Sequence, residues 1–154
     1  MRVRLRLPAS GDPHPLLLWL GSDGSADAPE LGALGRAWEW CALAALDLPL
    51  CGARASEKLS RPAFDPAHAL HAALFGDALA QLEGDIERVL AMLARQREID
   101  ARRVGMVAIG RGAALVERSA GLRSRAAAHL ISPDAEPDPD WLAGEAKRLE
   151  LELG

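Results

Sequence analysis

Two glycine-rich segments contain the residue types best suited to chemistry at a turn. Gly21-Ser-Asp-Gly24 and Gly110-Arg-Gly112 each follow a short apolar run, and backbone N–H groups at such turns can hold a phosphate. A P-loop would need a Gly-Lys pair followed by serine or threonine, and a dinucleotide fingerprint would need a third glycine. Because these features are missing, neither segment is predicted to bind a nucleotide, and no cofactor is expected.

The cysteines and histidines offer a nucleophile and metal ligands, but without the partners that such chemistry requires. Cys51 follows an apolar run, yet no motif places a histidine to activate its thiol. Together with Cys41 it is expected to be a free, structural thiol in a reducing compartment. His68 and His71 lie three residues apart in an unpatterned stretch without an H-E-x-x-H context, so no metal site is predicted.

The composition is typical of one globular domain. The chain has 154 residues, 49% of them hydrophobic and 26% charged, which predicts a single domain over residues 1–154 and excludes general disorder. A net charge of −4 lacks the basic excess that drives nucleic-acid binding. Arg2, Arg4 and Arg6 interrupt the first apolar residues, unlike a signal peptide, and no apolar run reaches the ~20 residues of a membrane span. The sequence therefore predicts a cytoplasmic protein that binds neither nucleic acid nor membranes.

Short apolar runs alternate with helical patterns along the chain. The first run alternates with arginine, as in a strand with one solvent-exposed face, whereas the later runs do not alternate, as in strands buried on both faces. The clearest helix runs from Asp77 to about Glu98 and has an apolar stripe; others are expected from near Ala28 and after Gly112, with a long loop or excursion at about residues 52–76. This order predicts an α/β fold, a three-layer α/β/α sandwich whose mostly parallel sheet of five or six strands has an antiparallel N-terminal edge strand. The expected strands are 3–7, 16–20, 42–46, 104–109 and 126–131.

The segment Asp100–Leu115 resembles the strand, turn and helix that carry the nucleophile of α/β-hydrolases in the dienelactone-hydrolase and acyl-peptidase-like branch. The family pattern there is typically I-D-x-x-R-V-G-x-x-G-x-S-x-G-G. Leu16–Gly24 is similar to the first parallel strand with its oxyanion loop, and Ala42–Arg54 is similar to the next strand with a D-x-P-x-x-G-x-R turn. The resemblance covers about residues 2–134 and implies a hydrolase-type fold.

Three departures from that pattern imply a truncated and catalytically inactive relative. Gly110 stands where the family has its serine, in the strained turn called the nucleophile elbow, and glycine has no atom that could attack a carbonyl. The oxyanion-loop segment has no histidine and includes Asp23, whose carboxylate would repel a developing oxyanion. Asp134 could mimic the family's acid, but no histidine follows His129. The resemblance thus leaves a vestigial elbow of Gly110, Arg111 and Gly112, and a vestigial pocket lined by Gly21, Ser22, Asp23, Gly24 and Arg111.

The leading functional hypothesis is a non-catalytic domain that acts through association, as a homodimer or as the partner of a related hydrolase. Residues 149–153 alternate leucine with glutamate, so a C-terminal strand could pair with the arginine-rich opening strand of a second chain. A helix over residues 140–152 is the equally weighted alternative. Two other hypotheses are a small esterase or acyl hydrolase with an unrecognised nucleophile, and a small-molecule binder that uses the vestigial pocket.

Overall fold

The computed structural model describes residues 1–9, 11, 13–21 and 37–153, and five strands form one sheet within these residues. They are β1 (Val3–Arg6), β2 (His14–Leu20), β3 (Ala42–Leu46), β4 (Ile99–Ile109) and β5 (Ala128–Ser132). The order across the sheet is β1-β3-β2-β4-β5. β1 is antiparallel to β3, and every other pairing is parallel. The predicted mostly parallel sheet with an antiparallel N-terminal edge strand is therefore confirmed.

Helices cover both faces of the sheet, as the predicted three-layer sandwich requires. On one face, α3 (His71–Leu93) and α4 (Arg111–Glu117) pack on even-numbered residues of β2, such as Leu18. On the other face, α6 (Pro139–Leu153) packs on odd-numbered residues, such as Trp19. The remaining short helices are α1 (Ala37–Trp40), a 3-10 turn (Gly52–Arg54), α2 (Ser60–Phe64) and α5 (Ala120–Arg123).

The boundaries of α3 differ from the prediction at both ends. The helix begins at His71 rather than Asp77, because Phe75 is buried and its ring packs edge-on against Phe64, with 5.9 Å between the ring centroids. It ends at Leu93 rather than near Glu98, and the chain turns before entering β4. The apolar stripe therefore continues into the stretch predicted to be a long loop, which also contains the 3-10 turn and α2.

The C-terminal segment is a helix, so the predicted alternative of a strand at residues 149–153 is wrong. Four apolar residues at helical spacing are buried against the sheet, whereas Leu151, which a strand would bury with its neighbours, is 79% exposed. Asp138 accepts hydrogen bonds through Oδ1 from the N–H groups of Asp140 and Trp141, and Pro139 is the first helical residue. An Asp-Pro pair is a strong helix start because it supplies a cap and a residue that needs no N–H partner. The buried residues of α6 are Leu142, Ala146, Leu149 and Leu153.

Two further predictions concern the helix expected near Ala28 and the beginning of β4. The helix expected from near Ala28 lies outside the described residues as far as residue 36. β4 begins at Ile99, five residues before the expected apolar run, because Ile99 and Asp100 pair with the first residues of β2 across a register shift. No helix in the described part of the chain is long and apolar enough to cross a membrane.

The parallel strands bring four turns together at one edge of the sheet. Gly21 follows β2, Asp47 follows β3, Gly110 follows β4 and Pro133 follows β5. Ligand sites of open α/β sheets lie at the carboxyl ends of the strands. A ligand site is therefore expected at this edge, which contains the predicted elbow.

Candidate functional site

Gly110 forms the sharp bend between strand β4 and helix α4, where the sequence places the elbow. Its φ is 56° and its ψ is −114°, a left-handed conformation that glycine adopts without the cost it has for other residues. Its N–H donates to the Ser132 carbonyl (2.9 Å), and its carbonyl accepts from the Ala114 N–H (3.0 Å). These backbone bonds tie the bend to β5 on one side and to the first turn of α4 on the other.

Gly112 lets the start of α4 lie directly against the end of β2. A Cβ atom at this position would be 2.2 Å from the Leu20 carbonyl oxygen and 2.9 Å from the carbonyl carbon. Leu20 is fully buried, so neither backbone has free space into which it could move. The second glycine of the turn is thus required by helix–strand packing rather than by chemistry.

Arg111 presents its side chain at the surface between these two glycines. The residue is exposed, and its guanidinium carbon lies 5.1 Å from the centroid of the Phe64 ring. Its Nη1 also lies 3.9 Å from the Sγ of Cys51. Cys51 is fully buried, so its thiol is not accessible to a substrate in this conformation, in agreement with a structural role for this cysteine.

The predicted pocket is only partly within the described chain. Gly21 is buried at the end of β2, whereas Ser22, Asp23 and Gly24 lie outside the described residues. An open cavity of about 650 Å³ does lie beside Arg111, and its other walls come from residues 55–66. Sequence reasoning found Arg111 but missed Arg61 and Phe64, which line the same cavity. The only signal for that wall was a stretch with Phe64 and two prolines that lacks helical periodicity.

The turn after β3, which the sequence matched to D-x-P-x-x-G-x-R, fixes the start of this wall. The Arg54 guanidinium donates to the Asp47 carbonyl (3.1 Å), to Oδ2 of Asp85 (2.5 Å) and to Oε1 of Gln81 (2.7 Å). Asp85 is 2% exposed and belongs to α3. Arg54 therefore joins the carboxyl end of β3 to the middle of α3, which holds the 3-10 turn and the chain that follows it in place.

The histidines make their described contacts away from the elbow. His14 begins β2 at the opposite end of that strand. His71 donates through Nδ1 to the Ala63 carbonyl (2.9 Å), and His129 donates through Nε2 to the Arg123 carbonyl (2.7 Å). Nδ1 of His68 accepts from the Leu70 N–H (3.1 Å). None of these hydrogen bonds involves residues 110–112, and no group of three metal-binding side chains is assembled among the described residues.

Asp134, the predicted mimic of the acid, lies in the exposed loop after β5. It lines a separate cavity of about 480 Å³ with Ser132, Asp138 and Trp141. Asp138 caps α6, and Ser132 accepts the Gly110 N–H through its carbonyl. Asp134 thus lies at the carboxyl edge of the sheet without a described histidine partner.

The described groups whose pKa values are shifted lie away from the elbow. Burial, followed by the nearby charge of Glu150, raises the pKa of the Cys41 thiol to about 12. Hydrogen bonds from the Arg102 side chain and backbone lower the pKa of Asp100, at the amino end of β4. Hydrogen bonds to Glu145 and Glu152 raise the pKa of Arg148 on α6. Active sites commonly concentrate such shifts, and here they belong to structural contacts instead.

Among the comparisons with known proteins, only the one with solved structures gives a match, and this match concerns the fold alone. No family model matches the sequence, and no curated protein matches it either. Among solved structures, the crystal structure of acetyl xylan esterase 1 from Thermoanaerobacterium sp. JW/SL YS485 matches with a TM-score of 0.52 and 14% sequence identity. The match covers 98% of this chain and 60% of that chain, so the present chain spans less than two thirds of the esterase.

The sheet order, the two helical layers and this match define the class of fold, which is α/β and hydrolase-like. A likeness at this identity carries no information on substrate or activity.

Proposed function

We propose that this chain is a catalytically inactive α/β-hydrolase-like domain that acts through association with a second protein chain. The observation that carries the proposal is Gly110, which occupies the bend between β4 and α4 with elbow-type backbone angles and has no side chain. A serine at such a bend is the nucleophile of hydrolases with this fold. Without it, the turn keeps its shape and lacks the reacting atom.

The inactivity is tested directly with an ester substrate and a serine-directed label. We expect no labelling by a fluorophosphonate probe and no hydrolysis of p-nitrophenyl acetate above that of the heat-denatured protein, with a commercial serine esterase as positive control. Cys51→Ala serves as the matched variant, because Cys51 is the one nucleophile that the sequence singled out. Hydrolysis that disappears in Cys51→Ala, or labelling of any serine, would contradict inactivity and would favour the hypothesis of an esterase with an unrecognised nucleophile.

The association part of the proposal is supported by the edge of the sheet at β1. This strand is exposed over three of its four residues, and Leu5 and Leu7 are 38% and 41% exposed. At the opposite edge, Arg148 Nη2 donates to the His129 carbonyl of β5 (2.7 Å), which occupies one of the groups that a neighbouring strand would use. Native proteins commonly protect exposed edges with charged side chains, as Arg4 and Arg6 do here, so association through β1 requires a partner that accommodates these arginines.

The charges of β1 favour an acidic partner strand over a second copy of the same strand. Arg4 and Arg6 alternate with the exposed leucines, and like charges directly opposite each other destabilise antiparallel pairing. Glutamate or aspartate on the edge strand of a related chain would avoid that repulsion. A homodimer would have to align the two β1 strands so that the arginines avoid one another.

Sedimentation velocity at micromolar concentration tests self-association. A species of twice the 16.4 kDa chain mass that dissociates in Leu5→Glu but not in Met92→Glu would support pairing through β1. Met92 is the matched control because it is 49% exposed and lies near the end of α3. A stable monomer would contradict the homodimer.

A second candidate function, the binding of a small molecule, is favoured by the cavity beside Arg111. Its volume of about 650 Å³ lies within the range of about 300–1,000 Å³ that is typical of ligand pockets. Arg111, which the sequence assigns to the vestigial pocket with Gly21–Gly24, lines this cavity, whereas Gly21 does not. Saturable binding of a small molecule that Arg111→Gln weakens would support this candidate.

A further inference from the structure

Two neighbouring cavities form a groove in which Phe64 and Pro66 are the common wall. The larger cavity, of about 650 Å³, also contacts Arg61 and Arg111. The smaller, of about 280 Å³, also contacts Phe75 and Arg118. We call the two cavities together the Phe64 groove. It combines an apolar and aromatic wall with three guanidinium groups.

These three arginines have no carboxylate partner among the described residues, a property that they share with Arg95, Arg97 and Arg123. Arg111 and Arg118 instead lie over the rings of Phe64 and Phe75, at 5.1 and 5.7 Å from the centroids. Elsewhere ion pairs are common, and the arginines that form them include Arg54, Arg88, Arg102, Arg103, Arg125 and Arg148.

Three acidic side chains also line the groove. Glu57 and Asp65 contribute to the wall of the larger cavity and Glu117 to the wall of the smaller one, but none of them forms an ion pair with Arg61, Arg111 or Arg118. The Asp65 carboxylate accepts the Ala67 N–H through Oδ1 (3.0 Å), which directs it to its own loop. The three guanidinium groups therefore share the groove with three carboxylates but form no ion pair with a described residue.

We infer that the Phe64 groove binds a small organic anion, whose carboxylate or phosphate group is held by Arg61 and Arg111 and whose apolar part lies against Phe64 and Pro66. A guanidinium is a planar fork of N–H donors that matches both kinds of anion with paired hydrogen bonds. The cation–π contact with Phe64 restrains the guanidinium group of Arg111, so this side chain loses less conformational freedom when a ligand binds. The inference rests on the second candidate function and gives that function a ligand class.

Isothermal titration calorimetry at low ionic strength tests this with benzoate and phenyl phosphate as the anions and benzyl alcohol as the uncharged control. At least one anion is expected to bind saturably, and Arg111→Gln and Arg61→Gln are each expected to weaken it by about tenfold or more, the loss of one charge-assisted pair. Arg95→Gln is the matched control, because Arg95 is exposed, has no ion pair within the described chain and lines neither cavity. The anion that binds more tightly identifies the head group as carboxylate or phosphate.

Three results would overturn the inference. These are the absence of saturable binding by both anions, binding of benzyl alcohol as tight as that of the anions, and equal weakening by Arg95→Gln and Arg111→Gln. If the arginines serve only to cover the phenylalanine rings, Arg111→Gln will lower the thermal stability without a change in ligand binding, which also rejects the site. Because calorimetry measures binding and the ester assay measures hydrolysis, failure of one leaves the other interpretable.

Discussion

Replacing Gly112 by alanine tests the packing on which the whole elbow depends. The added Cβ would lie 2.2 Å from the Leu20 carbonyl oxygen and 2.9 Å from both its carbonyl carbon and its Cβ. Ordinary contacts of this kind are 3.4 Å or longer, so α4 and β2 would have to separate by about 1 Å in a close-packed region. Overpacking of this kind costs about 1–3 kcal/mol and occasionally more.

We expect Gly112→Ala to lose about 3 kcal/mol of unfolding free energy, the upper end of that range, because both clashing groups are main chain and Leu20 is fully buried. For a domain of this length, such a loss lowers the melting temperature by about 6–12 °C. Urea unfolding followed by circular dichroism measures the free energy. An unchanged denaturant slope would show that the native packing has changed and the unfolded state has not.

Gly144→Ala is the matched control for the same chemical change. Gly144 lies in α6 with open space around the position of a Cβ, so alanine should raise the stability by up to about 1 kcal/mol through its better helix propensity. The two variants should therefore change stability in opposite directions. A Gly112→Ala protein within about 1 kcal/mol of the wild type would refute the close approach of α4 to β2, and with it the elbow geometry.

Three other changes test the site and the core. Gly110→Ser should lower the free energy of unfolding by about 1–3 kcal/mol, since serine must adopt the left-handed φ of 56°. The variant should still not hydrolyse p-nitrophenyl acetate, because no histidine is placed to deprotonate its hydroxyl. Measurable turnover would contradict this expectation. Asp85→Asn should lose about 2–4 kcal/mol in urea unfolding, because Asp85 is buried and Arg54 would keep a largely buried charge without its carboxylate partner; a loss below about 0.5 kcal/mol would show that water replaces the pair. Folding raises the pKa of Cys41 from 9.0 to about 12, so the protonated thiol contributes its full share of the unfolding free energy below pH 9. This contribution is lost as the pH rises from 9 towards 12, by up to about 1.4 kcal/mol per pH unit. Cys41→Ala should flatten this part of the stability profile, and an unchanged slope would reject the shift.

Most of the sheet could be predicted from the sequence because most of its strands coincide with continuous apolar runs. The run 16–20 lies in β2, all of it buried, and the bend at Gly110 falls between the predicted strand 104–109 and the helix predicted after Gly112. The amino end of β4 was not predicted, since Asp100, Arg102 and Arg103 make that stretch polar. These side chains form their own ion pairs instead of entering the core, so hydrophobicity does not indicate that stretch as a strand.

Two other features depend on packing that a linear pattern does not express. The leucines at 149, 151 and 153 fit a strand and a helix equally well, and what decides between them is that Leu142, Ala146, Leu149 and Leu153 bury the same face. The Phe64 groove joins α2 to the first residue of α4, about fifty residues away in sequence. Only Arg111 of that groove could be predicted, because it alone belongs to a recognisable motif.

The contacts that hold the bend between β4 and α4 do not depend on a side chain at position 110. The bend is fixed by the Gly110 N–H bond to Ser132 and by the close approach of Gly112 to Leu20, and neither contact involves a side chain at position 110. Glycine adopts the φ of 56° at position 110 without the strain that another residue would have there. Because Gly112 also avoids a clash with Leu20, stability alone favours both glycines of the turn. Arg111 between them contributes an exposed side chain whose described contacts are with Phe64 and Cys51. Since the packing of the turn does not require a charge at this position, the guanidinium is the part of the turn most open to a role in binding.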